Sequence, residues 1–249
     1  MITIDLNADL GEGGAHDAEL MTLVSSANVA CGGHAGDEAS MREAVRLAVR
    51  QGVAWGAHPG FVDRANFGRK MIEVEPAVLR GQLRAQLESL RRHGRFSHVK
   101  PHGALYNAMA RDRALAELVV GEVRAFDPAL WLVTLAGGGA VEVARAAGLR
   151  VAREFFADRG CRADGSLVPR GEAGDLVHDP VVASRQVVSA VTTGRWRSID
   201  GGVVQGRVDT VCVHGDGADA VEVLREVRSA LKTAGVGIRP FARIAEAGR

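Results

Sequence analysis

The 249-residue sequence predicts an α/β protein built as one parallel β/α barrel, closed or nearly so. Strand-like and helix-like segments alternate seven times from end to end, and parallel strands joined this way need right-handed crossovers. No Gly/Ser/Pro-rich linker interrupts the alternation, and barrels commonly run to about 250 residues as one domain. Polar residues recur where a strand hands over to a helix, the face on which such folds keep their active sites.

The first strand is expected over 2–8, ending in Asn7, Asp9 and Glu12. The second, 26–31, leads through Cys31-Gly32-Gly33-His34 to Asp37. The helix at 37–51 then repeats Met41, Ala44, Val45, Ala48 and Val49 with helical period. The third strand, 53–57, runs into His58-Pro59-Gly60. Glu75-Pro76 opens a helix striped by Leu79, Leu83, Leu87 and Leu90, proline suiting its first turn. The fourth strand, 97–101, holds Lys100-Pro101-His102-Gly103 and precedes a stripe of Leu115, Leu118, Val119 and Val123. The fifth, 130–136, ends in the tight turn Gly137-Gly138-Gly139. The sixth, 150–157, gives way to a long loop, 158–178, rich in Asp, Arg and Gly. Asp179-Pro180 opens a helix with Val187, Val188 and Val191, and 195–207 reads as a small hairpin turning at Asp200-Gly201-Gly202. The seventh strand, 208–214, carries His214 and Asp216 into a helix with Ala220, Leu224, Val227 and Leu231. Gly52, Gly94, Gly148, Gly194 and Gly235 follow the helices and suit left-handed caps.

Composition narrows the function. Hydrophobic residues at 47% and charged residues at 24% are ordinary for a soluble globular protein. A net charge of +1 gives no field to hold a polyanion, and aromatics at 4% leave few platforms for bases, so nucleic acid is not an expected partner. Cys31, Cys161 and Cys212 are odd in number and lack CxxC spacing, which reads as reduced thiols in the cytoplasm. No apolar run approaches the roughly 18 residues of a membrane span, and no signal core opens the chain.

The strand ends carry the chemistry. Asp9 and Glu12 can position a cation, activate water or receive a proton. Asp9 with His34 and His58 is a ligand set for a divalent metal such as Zn²⁺ and equally an acid/base set, and no spaced motif decides between them. Lys100 and His102, one turn apart, can hold an anion or stabilise an oxyanion. Asp158, Arg159 and Arg170 charge the long loop, where guanidinium suits carboxylate or phosphate. Asp216 is placed to tune His214. The glycines at 137–139 lack GxxxxGK and a full GxGxxG, so no nucleotide site is predicted there.

These segments occur in order: Asn7-Ala8-Asp9-Leu10-Gly11-Glu12, Cys31-Gly32-Gly33-His34-Ala35-Gly36-Asp37, Gly56-Ala57-His58-Pro59-Gly60 and Asn66-Phe67-Gly68-Arg69. They continue with Lys100-Pro101-His102-Gly103, Tyr106-Asn107, Phe156-Ala157-Asp158-Arg159, Asp164 to Arg170 and Val213-His214-Gly215-Asp216. Together they closely resemble the LamB/YcsF family over residues 2 to about 238. The resemblance implies an irregular seven-stranded barrel related to polysaccharide-deacetylase-like hydrolases. It implies the A subunit of an ATP-dependent 5-oxoprolinase, which opens the 5-oxoproline (pyroglutamate) lactam to L-glutamate together with subunits B and C. ATP with Mg is the implied cofactor, bound partly or wholly by the partners because no P-loop is present. On this reading Asp9, assisted by His34 or His58, activates water, and His102 or His214 protonates the leaving nitrogen. Lys100 with Arg159 or Arg170 holds carboxylate or phosphoryl oxygens, and Asn7, Glu12, Asp158 and Asp216 complete the substrate site. Two positions depart from the family, Gly33 and Cys161 each standing where an aromatic is usual, and both remove bulk near the expected pocket. Two other readings stay open: a stand-alone metal-dependent amide hydrolase or deacetylase, and a non-catalytic binding subunit.

Overall fold

The computed structural model describes residues 2–217 and 219–242. Its strands are β1 (Thr3–Leu10), β2 (Ser26–Ala30), β3 (Ala54–His58), β4 (His98–Val99), β5 (Trp131–Leu135) and β6 (Arg150–Phe156), then β7 (Arg195–Arg197), β8 (Val203–Gln205), β9 (Thr210–Cys212) and β10 (Gly237–Ile238). The first six pair in chain order, all parallel; β6 pairs β9, and β9 returns to β1 through Asp5↔Thr210 to Asn7↔Cys212. The seven-stranded barrel is therefore closed. β7 and β8 form the expected antiparallel hairpin outside it.

The helices are α1 (Asp17–Leu20), α2 (Glu38–Gln51), α3 (Pro76–Arg91), α4 (Gly103–Met109), α5 (Arg113–Phe126), α6 (Ala140–Ala146), α7 (Pro180–Thr193) and α8 (Ala220–Thr233). Proline opens α3 and α7 as expected, and Asp37 closes a capping box with Ser40 on α2. The apolar stripes face inward with one exception, Val49, which is exposed at the end of its turn. Gly52 and Gly194 cap α2 and α7 in the left-handed conformation, whereas Gly94 lies past the end of α3 with φ 137°. The fourth strand is shorter than expected because Pro101 has no N–H with which to continue the ladder. β10 and α1 were not expected; both are too short to show a period. Among the described residues no helix is long and apolar enough to cross a membrane.

Strands of a parallel barrel are buried on both faces and usually apolar on both. In β1 only the outer face is: Ile4, Leu6, Ala8 and Leu10 are buried in the main apolar core, while Asp5, Asn7 and Asp9 alternate with them inside the barrel. Buried polar groups need partners, and these find theirs across the barrel. Asp5 accepts from Ser25, Ser26 and Thr210. Asn7 donates to Glu154 (3.0 Å) and Thr210 (2.7 Å), and Asn28 donates to Asn7 (2.7 Å) and Asp9 (2.8 Å). His98 Nε2 meets Asn28 Oδ1 at 2.8 Å. Gly56 is required beside it, because a Cβ there would run into the His98 ring and backbone. The base is plugged by Phe241, whose ring packs on His98 (5.2 Å) and Trp131 (5.4 Å). The hairpin docks by Trp196, buried against Phe155 at 5.3 Å, and Ile199 N donates to Cys161 O (2.9 Å) in the long loop.

Candidate active site

The polar column rises to a cavity of about 440 Å³ at the C-terminal ends of the strands. At its floor Lys100 Nζ lies 2.9 Å from Asp9 Oδ1, 3.0 Å from Glu154 Oε1, 3.1 Å from Cys212 Sγ and 3.4 Å from Asn7 Oδ1. Burial alone would lower the lysine, but the Asp9 charge, then Cys212 and Glu154, outweigh it and raise it well above its ordinary value. Burial pushes the Asp9 carboxyl up; the charges of His58 and Lys100 and a hydrogen bond from His58 overcome this and hold it well below the usual range. Asp9 is therefore an anion whose Oδ1 is occupied by Lys100 and Asn28 and whose Oδ2 faces His58 Nε2 at 3.3 Å.

Three histidines and a carboxylate pack beside Asp9. His58, at the end of β3, turns Nδ1 onto Lys100 O (2.7 Å), and His102, ahead of α4, turns Nε2 onto Phe67 O (2.9 Å). Their other nitrogens, His58 Nε2 and His102 Nδ1, face each other at 2.9 Å. His34 stacks on His102 with centroids 3.6 Å apart, and its Nε2 meets Glu12 Oε1 at 2.9 Å. Glu12, His34, His58 and His102 each bring one potential ligand atom within 4.8 Å of the others.

A separate histidine–carboxylate pair stands at the end of β9. His214 Nδ1 lies 2.9 Å from Asp158 Oδ2, and His214 N also donates to that carboxylate (3.2 Å). Burial raises Asp158, but the His214 charge and hydrogen bond outweigh it and keep the carboxyl below its ordinary value. The His214 ring stacks on Phe156 (5.0 Å, 17°) and lines the cavity, with Nε2 left for a substrate. A carboxylate that fixes one ring nitrogen so that the other meets a substrate is the arrangement of an acid/base histidine.

The sequence-predicted residues thus separate by depth. Asp9, His58, Lys100, His102, His214, Arg159 and Arg170 line the cavity. Asn7 lies beneath its floor, and His34 and Glu12 lie in the cluster behind its wall. Lys100 meets protein acceptors, Asp9 and Glu154, at the floor of the cavity. Arg159 is tied to the carbonyls of Asp175 (2.9 Å) and Val168, bracing the long loop. The carboxylate on His214 is Asp158, not Asp216. Asp216 instead pairs with Arg69 and lies 3.9 Å from Arg170, with burial opposed chiefly by Arg69, which keeps its carboxyl low. Gly33 and Cys161 lie outside the cavity. The space beside Gly33 is filled by Gln86, which exchanges hydrogen bonds with Gly60, and Cys161 is buried under the hairpin with Sγ 3.6 Å from Arg197 O.

Sequence reasoning missed Asn28, His98, Glu154 and Tyr106. The first three belong to the inner face and were visible as polar residues at period two within strand-like runs. Tyr106 lines the cavity from α4, its hydroxyl pushed well above the ordinary value by burial and then by the Glu154 charge.

A closed parallel barrel with its polar groups at this mouth has the fold of the family 4 carbohydrate esterases and deacetylases. The chain is similar to a family 4 carbohydrate esterase from Streptomyces lividans in complex with acetate, with a TM-score of 0.52 and 10% identity over 95% of this chain and 91% of that one. It is likewise similar to the catalytic domain of a peptidoglycan N-acetylglucosamine deacetylase from Eubacterium rectale (TM-score 0.53, 12% identity, 96% and 87% covered). At such identities the likeness is one of fold. A far stronger match is the lactam utilization protein from Thermus thermophilus, 44% identical with a TM-score of 0.89 over 96% of this chain and 99% of that one. The model of the LamB/YcsF family matches residues 4–246, and the chain belongs to that family.

Proposed function

We propose that this chain is a hydrolase of cyclic amides, the A subunit of an ATP-dependent 5-oxoprolinase that acts with subunits B and C. The observation that carries the reading is the oriented His214–Asp158 pair on the same cavity as the anionic Asp9, in a chain 44% identical to a lactam utilization protein.

Opening a lactam requires three things: an activated carbonyl, a deprotonated water and a proton for the departing nitrogen. Phosphorylation of the amide oxygen by ATP supplies the first, leaving an imidate-like carbon open to water. The ATP–Mg site is assigned partly or wholly to the partners, because the sequence has no P-loop. Asp9 Oδ2, ionised at neutral pH, takes the proton of the attacking water. His214, held by Asp158, delivers a proton to the ring nitrogen as the C–N bond breaks, and the acyl phosphate this leaves is hydrolysed by a second water to glutamate and inorganic phosphate. The cavity exceeds a five-membered lactam, and Arg170 and Arg111 on its wall suit carboxylate or phosphoryl oxygens.

Glutamate release from 5-oxoproline and ATP tests the reading, with this chain alone, B and C alone, and all three together. Turnover confined to the full mixture is expected. Equal turnover from B and C without this chain would overturn the assignment.

A further inference from the structure

We propose that Glu12, His34, His58 and His102 form a binding site for one divalent transition-metal ion of the Zn²⁺ type. The site stands independently of the lactam assignment.

Tautomer fixing is the first ground. Lys100 O and Phe67 O are backbone carbonyls and only accept, so each places the proton of its histidine on the nitrogen it faces. His58 Nε2 and His102 Nδ1 then point at each other across 2.9 Å, and with both rings neutral each would present a lone pair to the other. Two lone pairs at that distance repel unless a positive charge lies between them. A backbone carbonyl holding the outer N–H of a histidine is the usual support of a metal-ligating imidazole.

A shared proton answers that pair and the approach of Asp9 Oδ2 to His58 Nε2 (3.3 Å), but not the approach of Glu12. Glu12 Oε1 lies 3.5 Å from His102 Nδ1, 3.7 Å from His58 Nε2 and 2.9 Å from His34 Nε2. The two longer separations are poor for hydrogen bonds. They are near the edge of a tetrahedron, however, since metal–ligand bonds of about 2.0–2.1 Å put neighbouring ligand atoms about 3.3 Å apart. Four of the six separations, 2.9–3.7 Å, bracket that edge, and all six lie within 4.8 Å.

His34 is 1% exposed, with its Nε2 turned onto Glu12. Its position is held by stacking on His102 and an edge contact with His58 (5.3 Å), so the ring is fixed with Nε2 on the cluster. Three imidazoles and one carboxylate are a donor set of borderline softness, suited to Zn²⁺, Co²⁺ or Ni²⁺ and poorly to Ca²⁺ or Mg²⁺. Asp9 is not among the residues whose ligand atoms converge within 4.8 Å, and Lys100 and Asn28 occupy its Oδ1.

The test uses the untagged full chain, dialysed against a chelator and then titrated with Zn²⁺, the bound metal being counted by mass spectrometry and calorimetry. One equivalent per chain is expected, with a visible Co²⁺ spectrum of tetrahedral type on substitution and a higher thermal midpoint when Zn²⁺ is present. His34→Gln and His102→Gln should each weaken Zn²⁺ binding by about 100-fold or more. His178→Gln, at an exposed histidine, should leave the stoichiometry at one. Failure of the wild-type chain to retain Zn²⁺, or to gain thermal stability from it, overturns the proposal whether or not the variants fold. Wild-type affinity in folded His34→Gln and His102→Gln overturns it equally. Since the readout is metal bound, a failed lactam assay leaves this result untouched.

Discussion

Asp5 shows how much the inner face of the barrel costs and how it is held. Burial raises its carboxyl from 3.8 to about 6, against the pull of the Ser25, Thr210 and Ser26 hydroxyls. Between those values the folded chain keeps a proton that the unfolded chain has released, so the contribution of Asp5 to stability is greatest below about pH 4. It falls as pH rises through about 6 and is level above that. Asp5→Asn removes this titration. The unfolding free energy of the variant relative to wild type should shift in the variant's favour by about 3 kcal/mol from acid to neutral pH. Urea denaturation across that range measures it, and a constant difference would show that Asp5 ionises normally. Lys100 presents the opposite case, a buried cation shared by two buried carboxylates. Lys100→Met leaves Asp9 and Glu154 uncompensated and should cost about 3–5 kcal/mol in the same assay. A loss under about 1 kcal/mol would mean that the ammonium is not what holds them. At this scale the sequence was half legible. His214, Asp158 and Asp9 were recognisable as strand-end residues, but Asp216 looked like the partner of His214 because it is near in sequence. The true partner, Asp158, ends the neighbouring strand β6, and only the pairing of β6 with β9 brings the two together.

Among the elements, the long strands and amphipathic helices were legible because burial imposes a period of two or 3.6. The short pieces were not. β4 has two paired residues, β10 two, and α1 four, and their places are set by barrel closure. The hairpin is the element whose role is most open to experiment. Trp196 is inserted with Val204, lying against Phe155 on the outer face of β6, while Arg195 and Arg197 on either side are exposed. Ile199 N and Cys161 O then join the hairpin to the loop that presents Arg170. Trp196→Ala should cost about 3–5 kcal/mol by cavity formation. It should also expose 158–178 to limited proteolysis before the rest of the chain. Cleavage of that loop at the wild-type rate, despite the expected loss of stability, would show that the hairpin does not brace it.

For the whole molecule, alternation and the absence of a linker were enough to predict a closed parallel barrel with its chemistry at one mouth. What remained hidden was depth, because the twist and stagger of seven strands decide whether a polar residue meets solvent, substrate or another strand. The resulting order has buried charges below, Asp9 and His214 at the floor and arginines on the wall. On the proposed function it separates catalysis from assembly. Asp9 and His214 are 4% exposed and half-buried respectively, inside the mouth, so on that proposal changing them should not alter the surface offered to B and C. Asp9→Asn and His214→Gln should each lower kcat for ATP-dependent glutamate release at least about 10²-fold, the scale of a lost general base or acid. KM should change little, and the mixture with B and C should elute unchanged from a sizing column. A docking-only subunit would give near-wild-type turnover in both variants. Loss of assembly in both would instead place these residues in the interface. Loss of turnover with assembly intact is the one outcome that requires the chemistry to take place in this barrel.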